Sequence, residues 1–277
     1  MGRQHTEFVQ SQWFPWTSTT QVDHLVGTTC RLLSVDPDNR SATMLVRFPP
    51  GWIRRSQSSP FDEEIYVLDG EISINERIFP VDFHTHLPAG YPRDIAESPA
   101  GAVALIFLTA APSASMATPQ YGFDHTAWVG RTDVFSTIWP AIPAEWHYLS
   151  AEKTLARMRV LRDQEGVGQT LILGYPPNWA SPLTETQIVD AEFYLLAGEV
   201  TLSGIGVMQP GAYIWRPAGT TLPPMTGRDG AVLLIRSHGG SFATSPGPQT
   251  TIKWPSAARC IIPDDLARRI VVGPYAA

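Results

Sequence analysis

The chain has 277 residues, of which 43% are hydrophobic and 17% charged, with a formal net charge of -6; its 20 basic residues include only two lysines, Lys153 and Lys253. A charged fraction well under the roughly 25% of ordinary globular chains excludes a disordered or coiled-coil protein. The acidic balance leaves no electrostatic footprint for nucleic acid or an anionic membrane, and the scarcity of lysine leaves little room for Schiff-base chemistry, which needs a desolvated amine.

Taken in chain order, residues 1–24 read as an N-terminal arm, and its opening MGRQHTEFVQSQW lacks the apolar core of a signal peptide. Residues 25–112 form a strand-rich unit: segments such as TMLVRF and EIYVLDGEISI are short and β-rich, and Gly, Pro or Asp punctuate them. Residues 113–149 read as the connection to the next unit. It opens in turn-forming sequence near 111–120 and is packed by Trp128, Trp139 and Trp146. Residues 150–240 repeat the strand-rich pattern with QTLILGY and EFYLLAGEVTL. A C-terminal extension, 241–277, opens with TSPGPQT at 244–250, read as a loop. PDDLARRI at 263–270 reads as a short helix with Pro263 and two aspartates at its start. No run approaches the roughly 18 apolar residues of a membrane span. Cys30 and Cys260 make neither a disulfide framework nor a cysteine zinc site. The expectation is a soluble, cytoplasmic protein.

The two units are copies of one another. LVRFPPGW at 45–52 matches ILGYPPNW at 172–179, EEIYVLDGEI at 63–72 matches AEFYLLAGEV at 191–200, and HTHLPAG at 84–90 matches YIWRPAG at 213–219, at offsets of 127, 128 and 129. Each copy closes on an apolar strand, VALIFL at 103–108 and VLLIRS at 232–237. Such a repeat is sought first because it decides the architecture.

EEIYVLDGEI followed by PAG resembles the cupin superfamily, whose members are small jelly-roll β-barrels, and the repeat makes the chain similar to a bicupin. The PPGW segment resembles the subgroup that holds zinc anti-sigma-factor cupins and dihydroxyacetophenone or acetylacetone dioxygenases. The resemblance implies an all-β fold of two tandem barrels; it does not fix the reaction, because this fold hosts many chemistries. Carried across residue by residue, the first cupin motif falls on Gly51, on Gln57 and Ser59 for its two histidines, on Glu63 and on Gly70. The second falls on Asp82, on Pro88-Ala89-Gly90 and on Arg93 for its histidine. In the second unit the same positions are Asn178, Glu185 and Gln187, Ala191, Gly198, Gly211, Pro217, Gly219 and Leu222. The scaffold residues are kept and the metal ligands are replaced. The family's metal requires about four protein donors, mainly imidazole, and the permanently charged Arg93 would repel a divalent cation. The residues therefore point to no metal or other cofactor. The alternative is Fe(II) or zinc at a displaced site built from His84, His86 and a carboxylate, a set sufficient for non-haem iron.

His84 and His86 are the imidazoles available for chemistry. They alternate on the strand before PAG and share one face, and parity alone leaves that face either interior or exterior. On the interior they would stand beside Glu63 and Arg93 and do acid/base work. Arg93 reads either as a bidentate clamp for a substrate carboxylate or enolate or as an ion pair with Glu63. Gln57, Ser59, Tyr66 and Trp52 are the candidate substrate-binding residues, although Tyr66 reads first as a core residue whose hydroxyl finds a partner and Trp52 first as a packing residue. Glu64 and its counterpart Glu192 face the other way and read as structural. His5, His24, His125 and His147 have no spacing that singles them out.

Three functions follow. The first is a metal-independent enzyme performing isomerisation, cyclisation or lyase chemistry on a carbonyl compound in the first barrel, where a closed apolar barrel with few polar groups makes a small-molecule pocket. The second is an Fe(II)-dependent, C–C cleaving dioxygenase with displaced ligands. The third is a non-catalytic ligand-binding or regulatory bicupin. Sheet edges that need covering make a homodimer the expected assembly.

Overall fold

The computed structural model describes residues 2–20, 22–109, 123–142 and 156–253. The helix expected at 263–270 and the turn-forming stretch near 111–120 lie outside them. The described chain is built of strands and two short 3-10 turns. No helix among the described residues is long and apolar enough to cross a membrane.

The chain divides into two compact units. Unit 1 holds Met1–Arg3 and Pro15–Thr137, and unit 2 holds Gln4–Phe14 and Ile138–Ala277. The stretch expected to be an N-terminal arm is thus shared between the units, and residues 123–137, expected in the connection, belong to unit 1.

In unit 1 the larger sheet runs in the order Val129–Asp133, Phe83–Leu87, Asp62–Ile74, Ala102–Thr109, Ala42–Phe48, Thr29–Val35 and Thr17–Ser18. In unit 2 it runs Thr6–Gln10, Ala212–Arg216, Asp190–Gly198, Ala231–His238, Gly168–Tyr175 and Arg157–Gln164. The central strands are the repeated sequence blocks, in the same order and all antiparallel. Both sheets add an edge strand from outside the repeat at the same place, Val129–Asp133 beside Phe83–Leu87 in unit 1 and Thr6–Gln10 beside Ala212–Arg216 in unit 2, and unit 1 adds a second, Thr17–Ser18, at its other edge.

The 13-residue strand Asp62–Ile74 serves two sheets. Its first half pairs with Phe83–Leu87 and Ala102–Thr109, and its second half with Arg77–Pro80 and Arg93–Ser98. The turn of the strand falls where the register slips opposite Val103 and Ala104, next to Gly70 at φ +69°. Gly198, at φ +81°, does the same work in unit 2. A Cβ at Gly70 would strike the carbonyl oxygen of Gly101, and one at Gly198 that of Gly230, so both glycines are required by close backbone approach as well as by conformation. Gly70→Ala or Gly198→Ala is expected to cost ~1–3 kcal/mol from the left-handed backbone alone, with the clash added to it. The expected readout is a lower urea midpoint at unchanged slope. A midpoint equal to wild type would mean that the strand can bend elsewhere. At two other motif glycine positions the chain substitutes Asp82 (φ +64°) and Asn178 (φ +60°), the residue types whose short polar side chains best tolerate this region.

Each unit has its own apolar interior. In unit 1 it includes Met44, Val46, Phe48, Ile65, Val67, Leu87, Ala104 and Ile106. In unit 2 it includes Leu171, Leu173, Phe193, Leu195, Ile214, Leu233, Ile235 and Leu222. The segment TSPGPQT, expected to be a loop, contributes the strand Thr244–Gln249, which pairs with Leu183–Gln187. Among the described residues it has that one neighbour, so its two prolines leave no ladder bond unmade on the outer side.

Candidate functional site

The strand Asp62–Ile74 decides which side chains enter barrel 1. Glu63 lies opposite Leu87 and Ile65 opposite Thr85, and Ile65, Val67 and Leu87 all belong to the interior cluster. Directly opposed residues share a face, so Glu63 points inward. Glu64 and Tyr66, opposed to His86 and His84, point outward. The placement of the two histidines is thereby settled, and it is the outer face of the sheet. They do not join Glu63 and Arg93. His84 Nε2 lies 2.7 Å from Glu64 Oε1, with both side chains fully buried. His86 Nδ1 donates to the carbonyl oxygen of Ala127 at 2.6 Å. A displaced metal site combining this pair with Glu63 does not form.

A different histidine reaches Glu63. The 3-10 turn Asp23–Leu25 sets Leu25 into the barrel core and places His24 Nε2 2.6 Å from Glu63 Oε2. Arg93 Nη2 donates to the same oxygen, also at 2.6 Å. Glu63 is fully buried, and His24 and Arg93 nearly so (3% and 4% exposed). Burial drives the Glu63 carboxyl up, but the charge of Arg93, the charge of His24 when that ring is protonated, and the contacts both make outweigh it and hold the group well below the usual carboxylate range. Beyond the ion-pair contact of His24 Nε2 with Glu63 Oε2, Glu63 Oε1 and Arg93 Nε are buried without a protein partner.

The remaining expected site residues frame or support this cluster. The Trp52 indole donates to Val26 O at 3.1 Å, and Arg54 Nη2 donates to Asp23 O at 2.9 Å. Together they pin the turn that carries His24, so Trp52, which also packs edge-on against Phe48, positions the site. Ser59 is buried and accepts from the Phe61 N–H through its hydroxyl. Gln57 donates to the nearby Arg55 carbonyl. Tyr66 faces outward and donates to Asp82 at 2.8 Å. Burial, then the charge of Asp82, pushes its phenol far above the ordinary range, which excludes it as an acid/base group near neutrality.

These donors do not fit the metal that the fold family implies. In unit 1 the one retained carboxylate is engaged by a guanidinium standing at a ligand position, and Gln57 and Ser59 are turned to local backbone. In unit 2 the four positions offer Glu185, Gln187, Ala191 and Leu222, two of them apolar. Among the described residues no group of three or more His, Cys, Asp or Glu side chains is arranged to hold a metal ion.

The residue that spacing did not find is His24. It lies 39 positions before Glu63, on a three-residue turn where neither strand nor helix periodicity operates. The outward Glu64 and Glu192 both turn out to be buried acceptors: Glu192 takes Tyr213 Oη at 2.8 Å, Arg236 Nη1 at 3.0 Å and His238 Nε2 at 2.9 Å.

Comparison with known proteins agrees with this architecture. A family model described as a ChrR cupin-like domain matches residues 4–82. No curated protein matches the chain. Among solved structures, a Nostoc punctiforme protein proposed as a dioxygenase is 17% identical over 95% of this chain and 92% of its own, with a TM-score of 0.72. A Pseudomonas aeruginosa protein proposed as glyoxylate-induced is 12% identical over 86% of this chain and 90% of its own, at TM-score 0.61. The oxalate decarboxylase of Bacillus subtilis is 14% identical over 89% of this chain and 80% of its own, at TM-score 0.54. At these identities the likeness is one of fold, and with the repeated sheet order it establishes the chain as a bicupin in architecture, two cupin-type units in tandem.

Proposed function

We propose that barrel 1 is a small-molecule site that works through side chains in place of a metal, performing acid/base chemistry on a carbonyl compound. The observation that carries this reading is the meeting of His24, Glu63 and Arg93 in the barrel interior, with Glu63 Oε1 and Arg93 Nε left unpartnered. Buried polar atoms are ordinarily paired, and an acceptor beside a donor suits a ligand carrying an acidic proton next to a carbonyl oxygen.

The roles follow from the chemistry of each group. Arg93 donates to the carbonyl oxygen and steadies the negative charge that grows there. Glu63, held ionised, fixes the imidazole and stabilises the imidazolium that forms. His24, with Nε2 toward Glu63, exchanges the proton through its other nitrogen. The α-proton passes to His24, the C–H electron pair forms the enolate double bond, and the carbonyl π pair moves onto oxygen. Return of the proton to the neighbouring carbon gives an isomer, and loss of a β-substituent gives a lyase product. Electrostatic complementarity to the enolate supports this reading over one in which the cluster only fills a vacated site.

The test is proton exchange in D2O at the carbons next to the ketone, the CH2OH groups of dihydroxyacetone and the methyl group of pyruvate, followed by 1H NMR. The expected result is exchange faster than in buffer, unchanged after dialysis against a chelator and reduced on the order of 10²-fold or more in His24→Asn. Exchange lost on chelation, with stoichiometric metal in the purified protein, would overturn the metal-independent reading. Saturation-transfer signals from these ketones with no exchange would favour a binding protein instead.

A further inference from the structure

We infer that the interior of unit 2 is a second ligand site, separate from the His24 cluster, and that it takes a small uncharged molecule presenting a hydrogen-bond donor beside an acceptor, as a carboxamide does. The argument starts at Gln187. Its side chain is 1% exposed, and neither Nε2 nor Oε1 has a partner. The backbone at this residue is fully used, its N–H donating to Thr220 O at 3.0 Å and its carbonyl accepting from Gly219 at 2.8 Å. An amide sealed from water with both ends idle is disfavoured, and native proteins rarely leave one so.

Strand pairing gives its direction. Glu185 lies opposite Leu222, a member of the unit 2 interior cluster, so Glu185 faces inward, and Gln187, two residues along the same strand, faces with it. Gln187 lies opposite Thr244, whose hydroxyl donates to Glu185 Oε2 at 2.9 Å; the hydroxyl of Ser181 donates to Glu185 Oε1 at 3.4 Å. Ser181 in turn opposes Met225 of the same cluster. The interior therefore carries a patch of carboxyl, hydroxyl and amide groups set among apolar side chains, Leu222 beside Glu185 on the neighbouring strand and Ala191 in the same interior cluster.

The chemistry of the patch selects its occupant. A primary amide pairs with a carboxamide through two parallel hydrogen bonds, each group donating once and accepting once. The isosteric carboxylate can accept from Nε2 but brings only lone pairs to Oε1 and stands close to the Glu185 carboxyl. Discrimination against it is expected because a site built for a donor leaves its acceptors unpaired with the wrong ligand.

Saturation-transfer NMR with acetamide tests this directly. The expected result is a clear acetamide signal with the wild-type protein, at least five-fold weaker in both Gln187→Leu and Gln187→Met and unchanged in His24→Asn. In the wild type, acetate should displace acetamide at least ten-fold less well than propionamide does, a comparison that needs no folded variant. No acetamide signal, a signal that survives in either Gln187 variant, loss of the signal in His24→Asn, or equal displacement by acetate would each overturn the inference; the first two are what a buried water on Gln187 predicts. Failure here leaves the barrel 1 reading untouched, because that reading rests on proton exchange at other residues.

Discussion

Glu63→Gln is expected to cost about 3–5 kcal/mol of folding stability, because it strips the carboxylate from a guanidinium that stays buried. Arg93 is 4% exposed and its ion pair with Glu63 is 2.6 Å long. The pair itself need not be worth that much. Replacing both members at once, Glu63→Leu with Arg93→Met, removes the two desolvated charges together and is expected to recover most of the loss, since well-packed apolar pairs rival buried ion pairs. Urea unfolding of Glu63→Leu, of Arg93→Met and of the double variant measures the coupling. A loss below about 1 kcal/mol in Glu63→Gln would mean the cluster is solvated, as exposed pairs are. The same substitution removes the group that orients His24, so exchange activity should fall together with stability.

The pH dependence has a definite sign. The folded-state pKa of Glu63 lies below its ordinary value of 4.5, so ionised Glu63 contributes stability that is fully present above that value. The contribution is lost as pH falls through the acid range toward the folded pKa. Wild-type stability should therefore decline steeply on acidification below about pH 4.5, and Glu63→Gln, already lacking the contribution, should show a shallower acid limb.

Much of the fold was legible in the sequence, because strands are local and repeats declare themselves. The blocks around PPGW, EEIYVLDGEI and PAG occupy equivalent central strands of the two sheets. The edge strands were not legible: Thr6–Gln10 pairs with Ala212–Arg216, about 200 residues away, and nothing in its composition names that partner. The strand Thr244–Gln249 was hidden by its prolines, which are tolerated because it is an edge. The Glu63–Arg93 pair was legible as one of two readings of Arg93, since both fall at motif positions. The direction of His84 and His86 was not, because a two-residue period gives a shared face without saying which face; only the pairing of Glu63 with Leu87 fixes it. His24 was beyond pattern altogether, since a short turn has no periodicity and its position depends on contacts from Trp52 and Arg54.

The two outward glutamates should differ sharply when truncated, and the difference tests what they do. Glu192→Ala is expected to cost about 3–5 kcal/mol, because it leaves the Arg236 guanidinium, 2% exposed, without its carboxylate. Glu64→Ala removes the acceptor of the His84 contact, where an imidazole stands in place of a guanidinium, so the expected loss is the smaller one of an unmade hydrogen bond, about 1–3 kcal/mol. Glu192→Gln separates charge from geometry: it can still accept from Tyr213 and Arg236 but no longer neutralises the guanidinium, and should fall between the two. Thermal melts of the three variants give the order directly, with Glu192→Ala lowest. Equal melting for Glu192→Ala and Glu64→Ala would mean that lost packing outweighs buried charge on both faces. The expected order instead makes Glu192 a counter-charge and Glu64 a hydrogen-bond acceptor: one position in the repeat, put to two uses by the residues that neighbouring strands set against it.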